Sequence, residues 1–316
     1  MKARGEVFFT VIIGCVFYII MIMSIHNYTW GITYEQNQSI MAIRENSAKY
    51  SEEVVNRRLE EKNEVLRLER LEEENEAIEN IVNKYISEEE QESVAVSYYN
   101  LKDDIYVGLN DENMFLGAST TKVMLSMVYA DLINEGKISL DDLIYYNESN
   151  YEDGCGVLQG MDKSSPFTVE TLMNYSIVYS DNIATQMLIG KIGFNYLRTV
   201  MNDMVDMDLP KDDNYATSKF LCEFLKILYY NEDNNPYYEL IFKNMSEVIQ
   251  HDRLTKYLPK DEVFHKFGDI YGYSNDIMIC DGENPYALIV LTENLPGSYE
   301  KMANLSKDIY EYKNQY

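Results

Sequence analysis

The sequence predicts an α+β domain, an antiparallel sheet flanked by helices, preceded by a transmembrane helix and a charged helical stalk. Three observations carry this. An uncharged 19-residue stretch, Val7 to Ile25, lies near the N-terminus. A run without Pro or Gly, dense in Glu, Arg, Lys and Leu, extends from about Tyr50 to Glu92. Beyond it, β-rich runs stand at both ends of a region whose middle reads as helical. The chain has 316 residues and is 46% hydrophobic. That is enough for one domain of roughly 200 residues with accessory segments.

The apolar stretch is long enough to cross a bilayer as a helix. Lys2 and Arg4 precede it, and the bias of positive charge toward the cytoplasm sends everything after Ile25 outside. A cleavable signal peptide is the rival, but it needs a shorter apolar core and a small-x-small cleavage site, which MIMSIHNYTW offers poorly. An uncleaved anchor over residues 1–26 is therefore expected. Residues 27–92 are expected to form the acidic stalk: positions 51 to 92 hold 15 Glu against six Arg plus Lys. Apolar or tolerated positions recur at Val55, Leu59, Lys62 and Leu66, then at Leu71, Asn75, Ile78, Val82 and Tyr85, the two sets separated by a stutter. A solvated spacer helix and a stalk that forms a homodimer both fit this pattern.

At Ser93 the pattern changes. SVAVSYYNLKDDIYVGLNDENMF alternates β-rich runs around a turn at LKDD, as a hairpin does, so the globular domain is placed at residues 93–316. Helical stretches follow at Thr120 to Glu135, Val169 to Ile192 and Lys219 to Tyr230. IYGYSNDIMIC and YALIVLTEN read as late strands separated by CDGENP, sharing a sheet with the first hairpin. The net charge of −26, with no basic run, argues against nucleic acid and against an anionic lipid surface as partners. Cys15, Cys155, Cys222 and Cys280 show no C-x-x-C spacing, and His26, His251 and His265 form no H-E-x-x-H pattern. No metal site and no cofactor is expected.

FLGASTTKVML places Ser119 three residues before Lys122, on one face of a helix starting near Ser119. A helix start would also offer the Ser119 N–H to a developing oxyanion. A serine hydroxyl is a poor nucleophile unless a base takes its proton, and a lysine can serve only if burial or a nearby cation lowers its pKa. A second Ser-x-x-Lys, Ser298 and Lys301, lacks any such surroundings. Ser180, Asp181 and Asn182 stand at a break between helical runs, and Lys266 on a late strand supplies a cation. Singly these are an ordinary helix cap, turn formers and a solvated strand residue.

In this order S-x-x-K, S-D-N and a K-T-G-like Lys266, Phe267 and Gly268 resemble the penicillin-recognising serine enzymes, especially class A β-lactamases and penicillin-binding proteins. GCGVLQG, SDNIATQML and YGYSNDIMI add to the resemblance, which covers about Ser93 to Tyr316. It implies a β-lactamase/transpeptidase-like fold and an acyl-enzyme at Ser119. Lys122 would accept the serine proton, Ser180 would pass a proton to the leaving nitrogen, and Lys266 would bias the field and help bind the substrate carboxylate. Asn182 would hold a substrate amide, and the N–H of Asp269, just past Gly268, would complete the oxyanion site. Two departures stand out. Phe267 replaces the Thr or Ser that holds the substrate carboxylate, and strand alternation makes His265 structural rather than a substitute. The E-x-x-L-N glutamate that activates the deacylating water is also absent. The segment carrying Asp203, Asp206, Asp208, Asp212 and Asp213 is shortened, with the gap between Asp206 and Asp212.

The expected activity is thus a membrane-anchored, extracytoplasmic serine hydrolase acting on peptidoglycan D-alanyl peptides, β-lactams or both, with slow deacylation. A genuine β-lactamase is the alternative within the same chemistry. A non-catalytic surface module on the same fold is the alternative from another class.

Overall fold

The computed structural model describes residues 2–211 and 213–315, with side chains from Gly14 onward. Asp212 and the side chains of Lys2, Arg4 and the start of the apolar span lie outside the described residues. Two compact units are present, residues 1–70 and 71–316. Helix α1, Lys2–Tyr85, accounts for the first and opens the second. Near its N-terminus it is long and apolar enough to cross a membrane. The hydrophobic side chains there, such as Phe17, Ile20 and Ile22, are exposed.

In the second unit, β1 (Val94–Asn100) and β2 (Ile105–Leu109) form the expected hairpin. A short strand, β3 (Phe115–Leu116), leads through a 3₁₀ turn, Ala118–Thr121, into α2 (Lys122–Asn134). β4 (Leu143–Ile144) and β5 (Phe167–Thr168) pair around a loop containing two 3₁₀ turns. Then come α3 (Val169–Val178), α4 (Asn182–Ile192), α5 (Phe194–Val205), β6 (Tyr215–Ala216), α6 (Ser218–Tyr230) and α7 (Tyr238–Ser246). β7 (Val263–Ile270), β8 (Tyr273–Cys280), β9 (Tyr286–Thr292) and α8 (Ser298–Lys313) close the chain. The strands make one antiparallel sheet in the order β2-β1-β9-β8-β7, so the first hairpin and the last strands do share a sheet. Its two faces alternate between two cores: Ala95, Ile277, Ile289 and Leu291 face the helical layer, while Val96, Met278, Leu288 and Val290 face α8.

Two differences from the sequence expectation are physical. IYGYSNDIMIC is split by Tyr271 and Gly272, both with positive φ, into the end of β7 and the start of β8. That is the backbone of a tight hairpin turn, and a tyrosine gives no hint of it. The folded unit also begins at Leu71 rather than Ser93. Ile78, Val82 and Ile86 are buried in the core under α8, and Glu74 accepts hydrogen bonds from Tyr98, Asn100 and Lys313. The acidic composition up to Glu92 hid this, because a helix with one apolar stripe reads the same whether that stripe meets another helix or a sheet.

Candidate active site

The 3₁₀ turn Ala118–Thr121 sets Ser119 at the head of α2. Its position is fixed from two sides. Asn214, just before β6, donates Nδ2–H to the Ala118 carbonyl at 2.8 Å and accepts from Thr121 Oγ1 at 2.9 Å. From the sheet, Gly268 on β7 approaches so closely that a Cβ would stand 2.6 Å from the Ser119 nitrogen. Only glycine permits that approach. Ala118 is held at φ 50° and Ser180 at φ 53°, a left-handed region that costs a non-glycine residue energy unless its surroundings enforce it. Such outliers cluster where geometry serves chemistry.

The break between α3 and α4 brings Ser180 and Asn182 to Lys122. Asp181 caps α4 by accepting from Ala184 N at 2.8 Å, and its other oxygen accepts from Leu158 N at 2.7 Å. Gly156 packs so tightly on Asp181 that a Cβ there would overlap it. Lys122 is buried, and its Nζ lies 2.7 Å from the Ser180 carbonyl, 2.8 Å from Asn182 Oδ1 and 3.4 Å from Ser180 Oγ. Asn182 Nδ2 donates to the Asp153 carbonyl at 2.8 Å, which orients the amide. One N–H of that amide remains for a ligand. Among the described residues no hydrogen bond joins Lys122 to Ser119, and such contacts often tighten only when substrate binds.

Burial pushes the Lys122 ammonium down to about 8, against the opposing charges of Glu152, Asp181 and Cys155. A neutral amine has two N–H groups and one lone pair. The Ser180 carbonyl and Asn182 Oδ1 can take the two donors, leaving the lone pair to accept a proton. Lys266 is fully buried and is held well below the usual lysine value by that burial and by the charge of Lys122. Burial is thus the leading cause of the shift at Lys122, and Lys266 is not among the groups that act on it.

Lys266 Nζ donates to the Phe267 carbonyl at 3.0 Å and lies 4.1 Å from the centre of the Phe267 ring. Phe267 is itself buried, with Arg253 5.0 Å from the ring on its other contact. His265 pairs across the sheet with Met278, whereas Lys266 pairs with Ile277, so the two point to opposite faces. His265 Nδ1 meets Asp276 Oδ1 at 3.2 Å, a buried structural contact. The Asp269 carboxylate is clamped by both Arg253 Nη atoms at 2.9 and 3.0 Å and by the Tyr299 hydroxyl at 2.9 Å. That leaves its backbone as the part available to a ligand. Lys301 of the second Ser-x-x-Lys is paired with Glu90 at 2.5 Å, and nothing there invites chemistry.

Ser119, Lys122, Asn182 and Asp269 line one cleft of about 740 Å³, whereas Ser180, Lys266 and Gly268 are buried and do not line it. Of the loop aspartates among the described residues, only Asp213 lines the cleft. Glu152, Asn214 and Arg198 also line it and were not singled out from sequence. Asn214 sits in DDNYATSKF and Glu152 immediately before DGCGVLQG, so neighbouring text was the only signal. A second cavity, about 620 Å³, lies elsewhere, among Asp131, Glu223, Lys226, Tyr230 and Tyr238.

A family model described as the Beta-lactamase enzyme family matches residues 75–313. Among solved structures, that of PBP-A is similar at 20% identity and a TM-score of 0.68, over 77% of this chain and 97% of that one. A β-lactamase from Sphaerobacter thermophilus gives 19% identity and a TM-score of 0.67, covering 76% of this chain and 98% of that one. A PBP-A mutant in an acyl-enzyme complex with penicillin G gives 19% and 0.66, covering 75% and 97%. No curated protein matches the sequence.

Proposed function

Because the chain belongs to the β-lactamase enzyme family, we propose that it is an acyl-enzyme hydrolase in which Ser119 attacks the carbonyl of a D-alanyl peptide of peptidoglycan or of a β-lactam. The observation that carries this reading is the buried Lys122, hydrogen-bonded to Ser180 and Asn182 in the cleft that Ser119 lines. Lys122 in its neutral form takes the Ser119 proton as the C–Oγ bond forms. Ser180 Oγ, 3.4 Å from Lys122 Nζ, relays that proton to the leaving nitrogen. The N–H groups of Ser119 and Asp269 stabilise the oxyanion, with Gly268 giving the close approach between strand and turn. Lys266 adds a positive field, and the free N–H of Asn182 holds the substrate amide.

Deacylation slow by β-lactamase standards is expected, because the described residues of the short loop supply no glutamate to the cleft and any clearing base has to come from another segment. We place the hydrolase domain outside the membrane on an uncleaved anchor, since Lys2 and Arg4 precede the apolar span. That position puts the cleft beside the cell wall. Residues 27–70, the part of the expected stalk that lies outside the folded unit, then act as an acidic helical spacer or as a site of homodimerisation.

Intact-mass spectrometry of the protein mixed with a penicillin tests this. A lasting adduct on Ser119, absent in Ser119→Ala, is the expected result. Rapid hydrolysis without an adduct would identify a genuine β-lactamase. Failure of both penicillin and a fluorophosphonate probe to label Ser119 would make the domain a binding module.

A further inference from the structure

Resting on the acyl-enzyme reading above, we propose that Glu152 is the general base that clears the acyl group from Ser119, in place of the loop glutamate this chain lacks. Clearing the ester requires a carboxylate that faces the cleft and can take a proton from water. Within the acidic segment Asp203, Asp206 and Asp208 do not line the cleft. Asp213 does, but its Oδ1 accepts from the N–H of Asn214 at 2.7 Å, and its charge acts on Arg198. Glu152 reaches the same cleft from the loop between β4 and β5.

Glu152 is held at both ends, by its own loop and by α4. Gln159 Nε2 donates to its carbonyl at 2.7 Å, and Gln186 Nε2 donates to its carboxylate. Gln186 lies one turn beyond Asn182 on α4, so the two amides share a face. The Asn182 amide in turn holds the carbonyl of Asp153, the next residue along. Glu152 and Asn182 are thus locked side by side, each by the other's element. Of the charges acting on Lys122, that of Glu152 is the largest, whereas Asp213 is not among them. The Gln186 bond occupies one carboxylate oxygen and leaves the second for a water.

In the step itself, the water oxygen bonds to the acyl carbon while one water proton passes to the Glu152 carboxylate. The tetrahedral intermediate collapses by breaking the bond from carbon to Ser119 Oγ. The proton returns to that oxygen, so the product leaves as an acid and both residues regain their starting states.

The test uses the full chain in detergent with penicillin G, following formation and loss of the Ser119 adduct by intact mass in the wild type, Glu152→Gln and Asp213→Asn. Measured at about pH 9.5, where Lys122 is neutral with or without the Glu152 charge, Glu152→Gln should slow adduct loss by about 100-fold or more while adduct formation stays within about twofold. Unchanged formation also shows that the variant is folded. Loss at the wild-type rate in Glu152→Gln overturns the proposal, as does slowed loss confined to Asp213→Asn. Equal slowing of formation and loss assigns Glu152 a role in positioning Asn182, and likewise overturns it. If neither penicillin G nor a fluorophosphonate probe labels Ser119 in the wild type and no hydrolysis appears, the acyl-enzyme reading itself falls and takes Glu152 with it.

Discussion

Lys122 makes the proposed acylation pH-dependent in a direction its burial determines. The lysine must be neutral to take the Ser119 proton, and burial lowers its pKa to about 8. Below that value the amine is protonated and the reactive fraction falls about tenfold per pH unit; above it the fraction saturates. The rate of Ser119 adduct formation should therefore climb with pH and level off above about 8. Lys122→Arg, which cannot deprotonate, should abolish it. Stopped-flow acylation across about pH 6 to 10 is the measurement, and a flat profile would mean that some other group accepts the proton. At this scale the sequence was most informative, because Ser119, Lys122, Ser180, Asn182 and Lys266 lie in short motifs. What stayed hidden were partners brought in by distant chain segments: Asn214 on the Ala118 carbonyl and Glu152 against Gln186. A hydrogen bond spanning 96 residues leaves no local pattern.

Among the elements, α5 and the segment after it form a tightly tied unit. Arg198 on α5 is buried and donates Nε–H and Nη2–H to the Pro210 carbonyl at 3.2 and 2.9 Å, and Nη2–H to the Tyr215 carbonyl at 2.8 Å. Asn202 holds the Leu209 carbonyl at 2.8 Å. The segment thereby delivers Asn214 to the carbonyl behind Ser119, so its shape reaches the nucleophile. Replacing Arg198 with Met removes the charged donor from the Pro210 and Tyr215 carbonyls, a loss of roughly 1.5–3 kcal/mol. The expected outcome is a matching fall in stability by urea titration, with faster amide exchange over residues 206–214 and slower acylation. Normal exchange there, despite lost stability, would show that the loop holds itself. The presence of α5 was not read from the sequence, nor were α7 and α8. Their apolar stripes are interrupted by polar residues such as Asn244 on α7, which is buried and accepts from the half-buried Asn174 of α3.

For the whole hydrolase unit, the decisive question is where its fold begins. Apolar residues every three or four positions announce that a helical stripe wants a cover, but not which surface supplies it. Composition alone therefore ran residues 71–92 together with the stalk. In the structure Ile78, Val82 and Ile86 complete the core under the sheet, and Glu74 meets Lys313 Nζ at 3.0 Å in a buried pair. Burying three such aliphatic side chains contributes about 1.5–3 kcal/mol each. Removing Glu74 would further leave the Lys313 ammonium buried without its carboxylate. Domains of this size are stable by about 5–15 kcal/mol in total, so this helical turn and its extension carry a large share. A chain beginning at Leu71 should melt cooperatively and acylate like the full protein. One beginning at Ser93 should lose at least about 5 kcal/mol and expose the lower face of the sheet. Calorimetry of the two chains decides it: equal melting temperatures would mean that the segment only rests on the surface, and that the hydrolase fold starts at the first strand.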